Sequence, residues 1–349
     1  MHEMNSTKAI SLLELAEQMS SSLGGPTAAE SLEHLDARSG EMQTAIAWFV
    51  DARRTNEALR LAIALYRFWI RKRRFEDGDR SFRRVLESRA GDECLRARGF
   101  INAGFMPFWM GDDDRARSLF SEGLELARQL GDAPLISQAL GGLARVTLRT
   151  DVPGARRLAR EALKVSDAAG DDAGRSNALH LLGVGAQTAG DLVEAREWMT
   201  QRLALVRSQG IEFLVASEAS NLSMVERQLG NLGAAEELAR EALELGMRIG
   251  DEFTKPFAIA GLAAIATERG DGERAATLLG AVEAMMEAQK MEWPPDERPH
   301  YEHMLAALPN AMGTAQFERA RMTGRSMPSA EAVALALAKA SGSSASAPS

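Results

Sequence analysis

The sequence predicts an all-α protein, built as a solenoid of helix-turn-helix units. One observation is composition: the chain of 349 residues is 45% hydrophobic and 26% charged, with few aromatics. Alanine, leucine, arginine and glutamate dominate, and these are strong helix formers. The other observation is that turn signals recur at one fixed period through the central part of the chain. Such a period is typical of repeat proteins, whose units bury their apolar faces against one another.

Two interleaved series of junctions, at which one predicted helix ends and the next begins, define the repeat. After each junction of the first series comes an alanine, and successive alanines are 39, 40, 40 and 40 positions apart. These alanines are Ala116, Ala155, Ala195, Ala235 and Ala275. The second series is marked by glycines 39, 40 and 40 positions apart, which are Gly131, Gly170, Gly210 and Gly250. Two series at one period predict two helices per repeat, each of about 18 residues.

The residues at the junctions explain why helices end and begin there. At Gly190-Asp191 the glycine suits the left-handed residue that terminates a helix, and the aspartate suits the N-cap of the next. Asn231 is expected to cap in the same way after Gly230. We therefore predict positive φ at the junction glycines and side-chain caps after them.

The segments outside the regular repeats are predicted to close the two ends of the stack. Residues 6–20 form an amphipathic segment, and residues 56–71 are apolar on several sides. Terminal units of a solenoid must cover an apolar surface that has no further neighbour. The predicted organisation is an N-terminal helical cap at 1–75, repeats at 76–290, a C-terminal helical cap at 291–338 and a flexible tail at 339–349.

The unit resembles the tetratricopeptide repeat. The matching residues are Leu182, Gly183, Gly190 and Ala195 in one copy, and Gly104, Gly111, Ala116 and Phe120 in another. Other copies depart from the pattern, because Leu143, Ser223 and Ala263 replace the first glycine. The period is also longer than the usual one of about 34 residues. The resemblance implies a right-handed superhelix of antiparallel helix pairs with a concave groove.

The longer period resembles a more specific group of proteins. Second helices such as 154–163 and 233–243, with the flanking stretches 9–75 and 275–338, resemble the C-terminal half of bacterial LuxR- or AfsR-like signal-transduction ATPase regulators. The sequence has no GxxxxGK[ST] phosphate loop and no LuxR-type DNA-binding segment. The resemblance therefore implies a sensing module that is separated from its ATPase and DNA-binding parts.

The tetratricopeptide resemblance also implies which residues face the groove. They are expected on the first helix of each pair, 18, 15, 11 and 8 positions before the second-helix alanine. The candidate binding residues are Arg98, Phe105, Phe108, Asn177, His180, Gln187, Ser220, Met224 and Arg227. The repeat whose second-helix alanine is Ala155 contributes Ser137, Leu140, Ala144 and Thr147 by the same count. The polar side chains can hydrogen-bond a peptide backbone or a carboxylate, and the phenylalanines can anchor an apolar side chain.

Some of these residues have a structural alternative. A less regular copy of the repeat precedes the clear ones at residues 73–88, and Phe105, Phe108 and Trp109 can instead pack against it. His180 can be solvated or bonded locally. The residues alone favour these structural roles over ligand contact.

A basic stretch is the second candidate surface. Between Arg53 and Arg89 lie twelve arginines and lysines and five acids, a local charge of +7. This stretch can contact nucleic acid or an acidic protein, or its long side chains can form a solvated outer face that covers apolar surface. The net charge of −8 for the whole chain favours the solvated face or an acidic protein partner.

Catalytic and metal-binding patterns are weak. His300 and His303 are three positions apart with Glu302 between them, which is not the spacing of HExxH, so surface histidines are favoured. Cys94 has no patterned histidine partner, and as the only cysteine it cannot form an intrachain disulfide. No strand precedes the glycine-rich stretch 182–190, so it is not a dinucleotide loop. No cofactor is expected.

The sequence therefore predicts a non-enzymatic scaffold that binds a protein or peptide in its groove. The alternative is the ligand- or partner-sensing module of a transcription-regulatory ATPase system, for which a small-molecule effector is a second kind of ligand. Net negative charge argues against nucleic acid, and no apolar run reaches the ~20 residues of a membrane span. The absence of a signal-peptide pattern and the single cysteine predict the cytoplasm. The oligomeric state stays open.

Overall fold

The structure is a computed structural model, and it describes residues 4–23, 25, 27–250, 254–289, 291, 293 and 298–338. The side chains at 299 and 300 are not described. All regular secondary structure in these residues is α-helical, so the predicted all-α helical-repeat solenoid is confirmed. The predicted tail at 339–349 lies outside the described residues.

The chain divides into two compact units, Met1–Glu212 and Phe213–Ser349. The limits of the caps and repeats at 75 and 290 stay predictions. The helices of the first part of the chain are α1 Ser6–Ser22, α2 Ala28–Ala37, α3 Ser39–Asp51, α4 Thr55–Arg71, α5 Phe75–Leu86, α6 Glu93–Met110, α7 Asp113–Leu130, α8 Ala133–Leu148, α9 Val152–Ala169, α10 Asp172–Thr188 and α11 Leu192–Ser208. Those that follow are α12 Glu212–Gln228, α13 Leu232–Arg248, α14 Lys255–Glu268, α15 Gly272–Ala288, α16 Arg298–Met312, α17 Thr314–Arg325 and α18 Ser329–Leu337.

Two layers of helices form the repeats of the first unit. Each helix from α4 to α10 packs against the next one along the chain. The first helices of successive pairs, α4, α6, α8 and α10, also pack against one another. The second helices α7, α9 and α11 are joined mainly by long side chains, as in the ion pair between Arg128 and Glu161. We call the layer of first helices the inner layer, because its members approach most closely.

The junction glycines adopt the predicted conformation. Gly131 has φ of 68°, Gly190 has φ of 82°, and the other junction glycines are also positive. Asp132 caps α8 by accepting a hydrogen bond from the Leu135 amide at 3.0 Å. This conformation is unfavourable for residues with a Cβ, so glycine marks the end of the helix.

The cap prediction is wrong at Asp191 and Asn231, whose side chains cap nothing. Each is bonded to another side chain. The Asp191 carboxylate accepts from Arg156 Nη1 at 2.9 Å, and the Asn231 amide donates to Glu226 at 2.7 Å. These partners compete with the helix N-terminus for the side chain.

Large side chains on second helices pack against glycines on first helices. Phe120 of α7 is fully buried between Gly104 of α6 and Gly142 of α8. A Cβ at Gly104 would lie 2.7 Å from the Phe120 ring, and a Cβ at Gly142 would overlap that ring. Met199 of α11 packs against Gly183 in the same way. The five second-helix alanines point inward, since all of them are at most 4% exposed.

The second unit has a backbone-to-backbone helix crossing. Gly280 of α15 lies against the Arg321 carbonyl of α17, and Gly324 of α17 lies against the Thr277 carbonyl. Glu283, on the same face of α15, accepts hydrogen bonds from Arg321 Nε at 2.9 Å and Tyr301 Oη at 2.9 Å. The close crossing and the buried carboxylate together fix α16 and α17 on α15.

Glu194 joins two helices of the first unit, α9 and α11. It accepts a hydrogen bond from Trp198 Nε1 at 3.1 Å on its own helix, and it is paired with Arg156 and Arg160 of α9. The bonds from Trp198 and then Arg156 hold the pKa of Glu194 below its ordinary value of 4.5. A carboxyl whose pKa is lower in the folded chain stabilises the fold above its ordinary pKa, and this effect is lost as pH falls through the folded pKa.

Replacing Gly142 with alanine should destabilise the first unit by about 1–3 kcal/mol, because Phe120 cannot move away from Gly142 without striking Gly104. Gly40→Ala is the control, since a Cβ there has nothing within 4 Å. Thermal and denaturant unfolding should show a lower stability for Gly142→Ala only. Equal unfolding of the two variants would contradict the packing of Phe120.

Glu194→Gln should lower the free energy of unfolding by up to about 1 kcal/mol at neutral pH. The difference from the unchanged chain should disappear as pH falls through the lowered pKa of Glu194, because the carboxyl is then protonated. Exposed Glu197→Gln serves as the control and should have little effect at either pH. A Glu194→Gln difference that stays constant down to acid pH would rule out the ionised carboxylate as its source.

Candidate functional site

The inner layer of the first unit exposes a continuous aromatic and polar face. We call it the inner face. It is formed by the half-buried side chains of Tyr66 of α4, Phe105 of α6, Gln138 and Arg145 of α8, and Asn177 and His180 of α10. The Tyr66 and Phe105 rings lie 5.6 Å apart at the α4 end. The face therefore offers an apolar surface at one end and amide, guanidinium and imidazole groups at the other.

Hydrogen bonds connect the polar side chains across neighbouring helices. Arg145 Nη2 donates to Asn177 Oδ1 at 2.8 Å, and Gln138 Nε2 donates to Asn102 Oδ1 at 3.4 Å. Gly141 makes room for this arrangement, because a Cβ there would overlap the Asn177 amide nitrogen. With its oxygen bonded to Arg145, Asn177 directs its amide hydrogens away from that bond.

His180 is held by an arginine from the second helix of its own pair. Arg202 of α11 is 5% exposed, and its Nη1 lies 3.3 Å from His180 Nδ1. Arg202 Nε also donates to Ser176 Oγ at 3.3 Å. The imidazole is thus bonded locally, which was the alternative to ligand contact for this residue.

Burial changes the pKa values of two groups on the inner face. The pKa of Arg145 falls to about 10, mainly because burial removes solvent and also because Arg202 repels its charge. Burial raises the pKa of Tyr66 to about 12, and the nearby Arg145 and Arg67 lower it in part. At neutral pH Arg145 is therefore charged and Tyr66 is neutral.

The sequence analysis missed Tyr66, Arg145 and Arg202. A signal for Arg145 was present, since it is the only charged residue of the otherwise apolar and small-residue helix α8. No comparable signal distinguishes Tyr66 or Arg202, because each lies among several other charged or aromatic residues.

The predicted aromatic anchors lie in the hydrophobic core. Phe108 is 8% exposed and lies under the Arg149 guanidinium, 4.5 Å from its ring centre. Phe105 is half-buried between Tyr66 and Phe120. Packing with neighbouring repeats, the structural alternative, accounts for most of both rings, and only Phe105 retains surface on the inner face.

The expected register is wrong in α8. Ser137, Leu140 and Ala144 are at most 1% exposed and Thr147 is 8% exposed, so none of the four lines a groove. The half-buried residues Gln138, Arg145 and Leu148 each lie one residue further along. Counting back from a second-helix alanine gives the position of a residue along the axis of the first helix. It does not determine how that helix is rotated about its own axis.

Arg98 and Gln187 occupy the two ends of the predicted set in the first unit. Arg98 is exposed near the start of α6, and Gln187 is half-buried near the end of α10. Neither is bonded to the Arg145–Asn177 pair.

In the second unit the predicted groove residues lie beside the chain's own C-terminal segment. Met224 and Arg227 border a gap of about 20 Å³, which is bounded by Trp293 and Tyr301. This volume holds about one water molecule. Arg227 is ion-paired with Glu268, and Ser220 is half-buried. The face around Met224 and Arg227 is therefore already filled, which leaves the inner face of the first unit as the candidate site.

The basic stretch is largely neutralised within the chain. Three acids from outside the stretch form ion pairs with it. Glu17 pairs with Arg60, Asp36 with Lys72 and Arg74, and Asp51 with Arg84. Further pairs form within the stretch, and buried Asp79 holds both Arg83 and Arg115. The local charge of +7 therefore does not form a free basic patch, which agrees with the interpretation as a solvated face.

The other kinds of site that we considered are not found in the described part of the chain. No group of three or more potential metal ligands occurs there, and none of its helices is long and apolar enough to cross a membrane. Cys94 is half-buried with its Sγ 3.9 Å from Asp132 Oδ2. His303 is exposed, and the His300 side chain lies outside the described residues.

Solved structures of tetratricopeptide-type proteins share this fold. A Rap protein complexed with Competence and Sporulation Factor has a TM-score of 0.61 at 11% identity, covering 92% of this chain and 90% of that one. NprR in complex with its cognate peptide NprX has a TM-score of 0.52 at 15% identity, covering 88% and 85%.

A signal-transduction ATPase from Pyrococcus horikoshii with a tetratricopeptide repeat sensor has a TM-score of 0.56 at 15% identity. This match covers 92% of the present chain and 53% of the ATPase, so the chain spans about half of that protein. No protein-family model and no curated protein sequence matches the chain. At these identities the similarities establish the fold alone.

Proposed function

We propose that the chain is a non-catalytic scaffold that binds a peptide or an extended protein segment along the inner face of the first unit. The observation that carries this proposal is the continuous face from Tyr66 to His180, where an aromatic surface at one end adjoins half-buried amide and guanidinium groups. An extended peptide presents backbone donors and acceptors at regular intervals, which such a face can match.

The fold similarities support this proposal. NprR is described with its cognate peptide, and a Rap protein with Competence and Sporulation Factor. Helices of similar length stacked side by side provide a rigid surface, so the scaffold itself loses little conformational entropy when a segment binds. Among the candidate residues of the first unit, Asn177 and His180 are central, Phe105 provides apolar contact, and Arg98 and Gln187 lie at the ends.

A second candidate is the sensing module of a bacterial transcription-regulatory ATPase system, located in the cytoplasm and encoded apart from its ATPase. The similarity to an ATPase that carries a tetratricopeptide repeat sensor favours it. Reading frames adjacent to the gene should then encode a phosphate-loop ATPase. An unrelated neighbourhood would count against this candidate and leave the scaffold proposal intact.

The scaffold proposal is tested by selection from a random hexapeptide library on the immobilised full chain. The unchanged chain should enrich a defined peptide set, and Asn177→Ala combined with His180→Ala should retain about tenfold less, because two central hydrogen-bonding groups are lost. The matched control combines His34→Ala and Gln129→Ala, which removes an exposed imidazole and an exposed amide away from the inner face.

Thermal unfolding of each variant establishes that it is folded. Loss of enrichment in the inner-face variant alone supports the proposal. No enrichment by the unchanged chain, or equal enrichment by the inner-face variant, would contradict it.

A further inference from the structure

Arg145 is half-buried and has no acidic partner among the described residues, unlike several other shielded arginines of the chain. Arg115 is paired with Asp79, Arg156 with Asp191 and Glu194, and Arg321 with Glu283. Among the described residues, no carboxylate lies within ion-pair distance of the Arg145 guanidinium. Its hydrogen-bond partner is the neutral oxygen of Asn177.

The surroundings of Arg145 add positive charge. Arg202 lies near enough to lower the pKa of Arg145, so the two guanidinium groups repel each other. The inner helices carry almost no acids: α6 has only Glu93, α8 has none and α10 has only Asp172, and both acids stand in the first turn. The chain as a whole has a net charge of −8. The inner face is therefore a locally positive surface on an acidic protein.

A shielded guanidinium without a counter-ion is unfavourable, because burial removes water that stabilises the charge. A ligand carboxylate would restore that stabilisation through charge-assisted hydrogen bonds, for which the fork of the guanidinium is well shaped. The Asn177 side chain, whose oxygen is bonded to that guanidinium, still has two amide hydrogens that can donate to the second carboxylate oxygen. Tyr66 and Phe105 then provide an apolar surface next to the charge.

We propose that Arg145 and Asn177 bind a carboxylate of the peptide ligand, at its C-terminus or on an aspartate or glutamate side chain. This inference rests on the scaffold proposal above and adds a ligand chemistry to it. The ligand's carboxylate would lie between α8 and α10, with its neighbouring residue directed toward Tyr66.

The test uses four defined probes on the immobilised full chain. Three are random hexapeptide pools: one has a free C-terminus and no Asp or Glu, one is amidated and contains Asp and Glu, and one is amidated without Asp or Glu. The fourth is a short oligothymidylate, which carries phosphate in place of carboxylate. The first two pools show whether the carboxylate comes from the C-terminus or from a side chain.

The unchanged chain should retain at least one carboxylate-bearing pool about tenfold more than the carboxylate-free pool, since hydrogen bonds to charged groups are the strong ones. Arg145→Gln should abolish this preference. Gly141→Ala should reduce it while keeping the charge, because the new methyl group displaces the Asn177 amide. Arg175→Gln is the control, as it removes an exposed arginine from the start of α10.

The outcomes separate the two proposals. Equal retention of all three peptide pools by the unchanged chain would overturn the carboxylate site and leave peptide binding standing. Retention of no pool would overturn both, and retention of the oligothymidylate alone would assign the site to phosphate and overturn this inference. Because the comparison of pools uses the unchanged chain, it holds even where Arg145→Gln does not fold.

Discussion

The packing of Phe120 between two glycines fixes the geometry on which the inner face depends. Its ring touches Gly104 of α6 on one side and Gly142 of α8 on the other. A second-helix side chain thereby sets the distance between two successive first helices. Because the inner helices approach so closely, side chains from α4, α6, α8 and α10 form one surface instead of separate ridges.

The distribution of charge follows the same two layers. Many ion pairs join residues about one repeat apart in sequence, as with Arg149 and Asp113 or Arg156 and Asp191. In these pairs an arginine of one repeat meets an acid of a neighbouring repeat, so many of the acids are engaged between repeats. The inner helices contribute few acids to this network, and Arg145 is left with a neutral partner. The positive inner face of an acidic chain is thus a consequence of how its repeats are joined.

The periodic part of the fold could be predicted from the sequence, because it depends on local chemistry. Junction glycines such as Gly190 end helices by their backbone conformation, and alanines such as Ala195 mark the closest contact between paired helices. Both signals are repeated, so each copy supports the others. The cap at Asp191 failed because Arg156 of another helix binds its carboxylate, and the cap at Asn231 failed because its amide donates to Glu226, five residues earlier.

The candidate site was harder to predict for the same reason. The rotation of α8, which exposes Gln138 and Arg145, is set by packing on both of its sides. The space beside Met224 is filled by Trp293, which lies far along the chain. The acids that neutralise the basic stretch, such as Asp36, also lie in other helices. None of these contacts leaves a pattern at short sequence separation.

The central claim is that a ligand occupies the inner face of the first unit. The most direct measurement places a photo-crosslinking amino acid at Gln138 on the inner face, or at exposed Lys164 on the second helix α9. With the free-acid hexapeptide pool, irradiation should attach peptide to the chain substituted at position 138 and leave the one substituted at 164 unlabelled. Labelling at 164 without labelling at 138 would contradict the account.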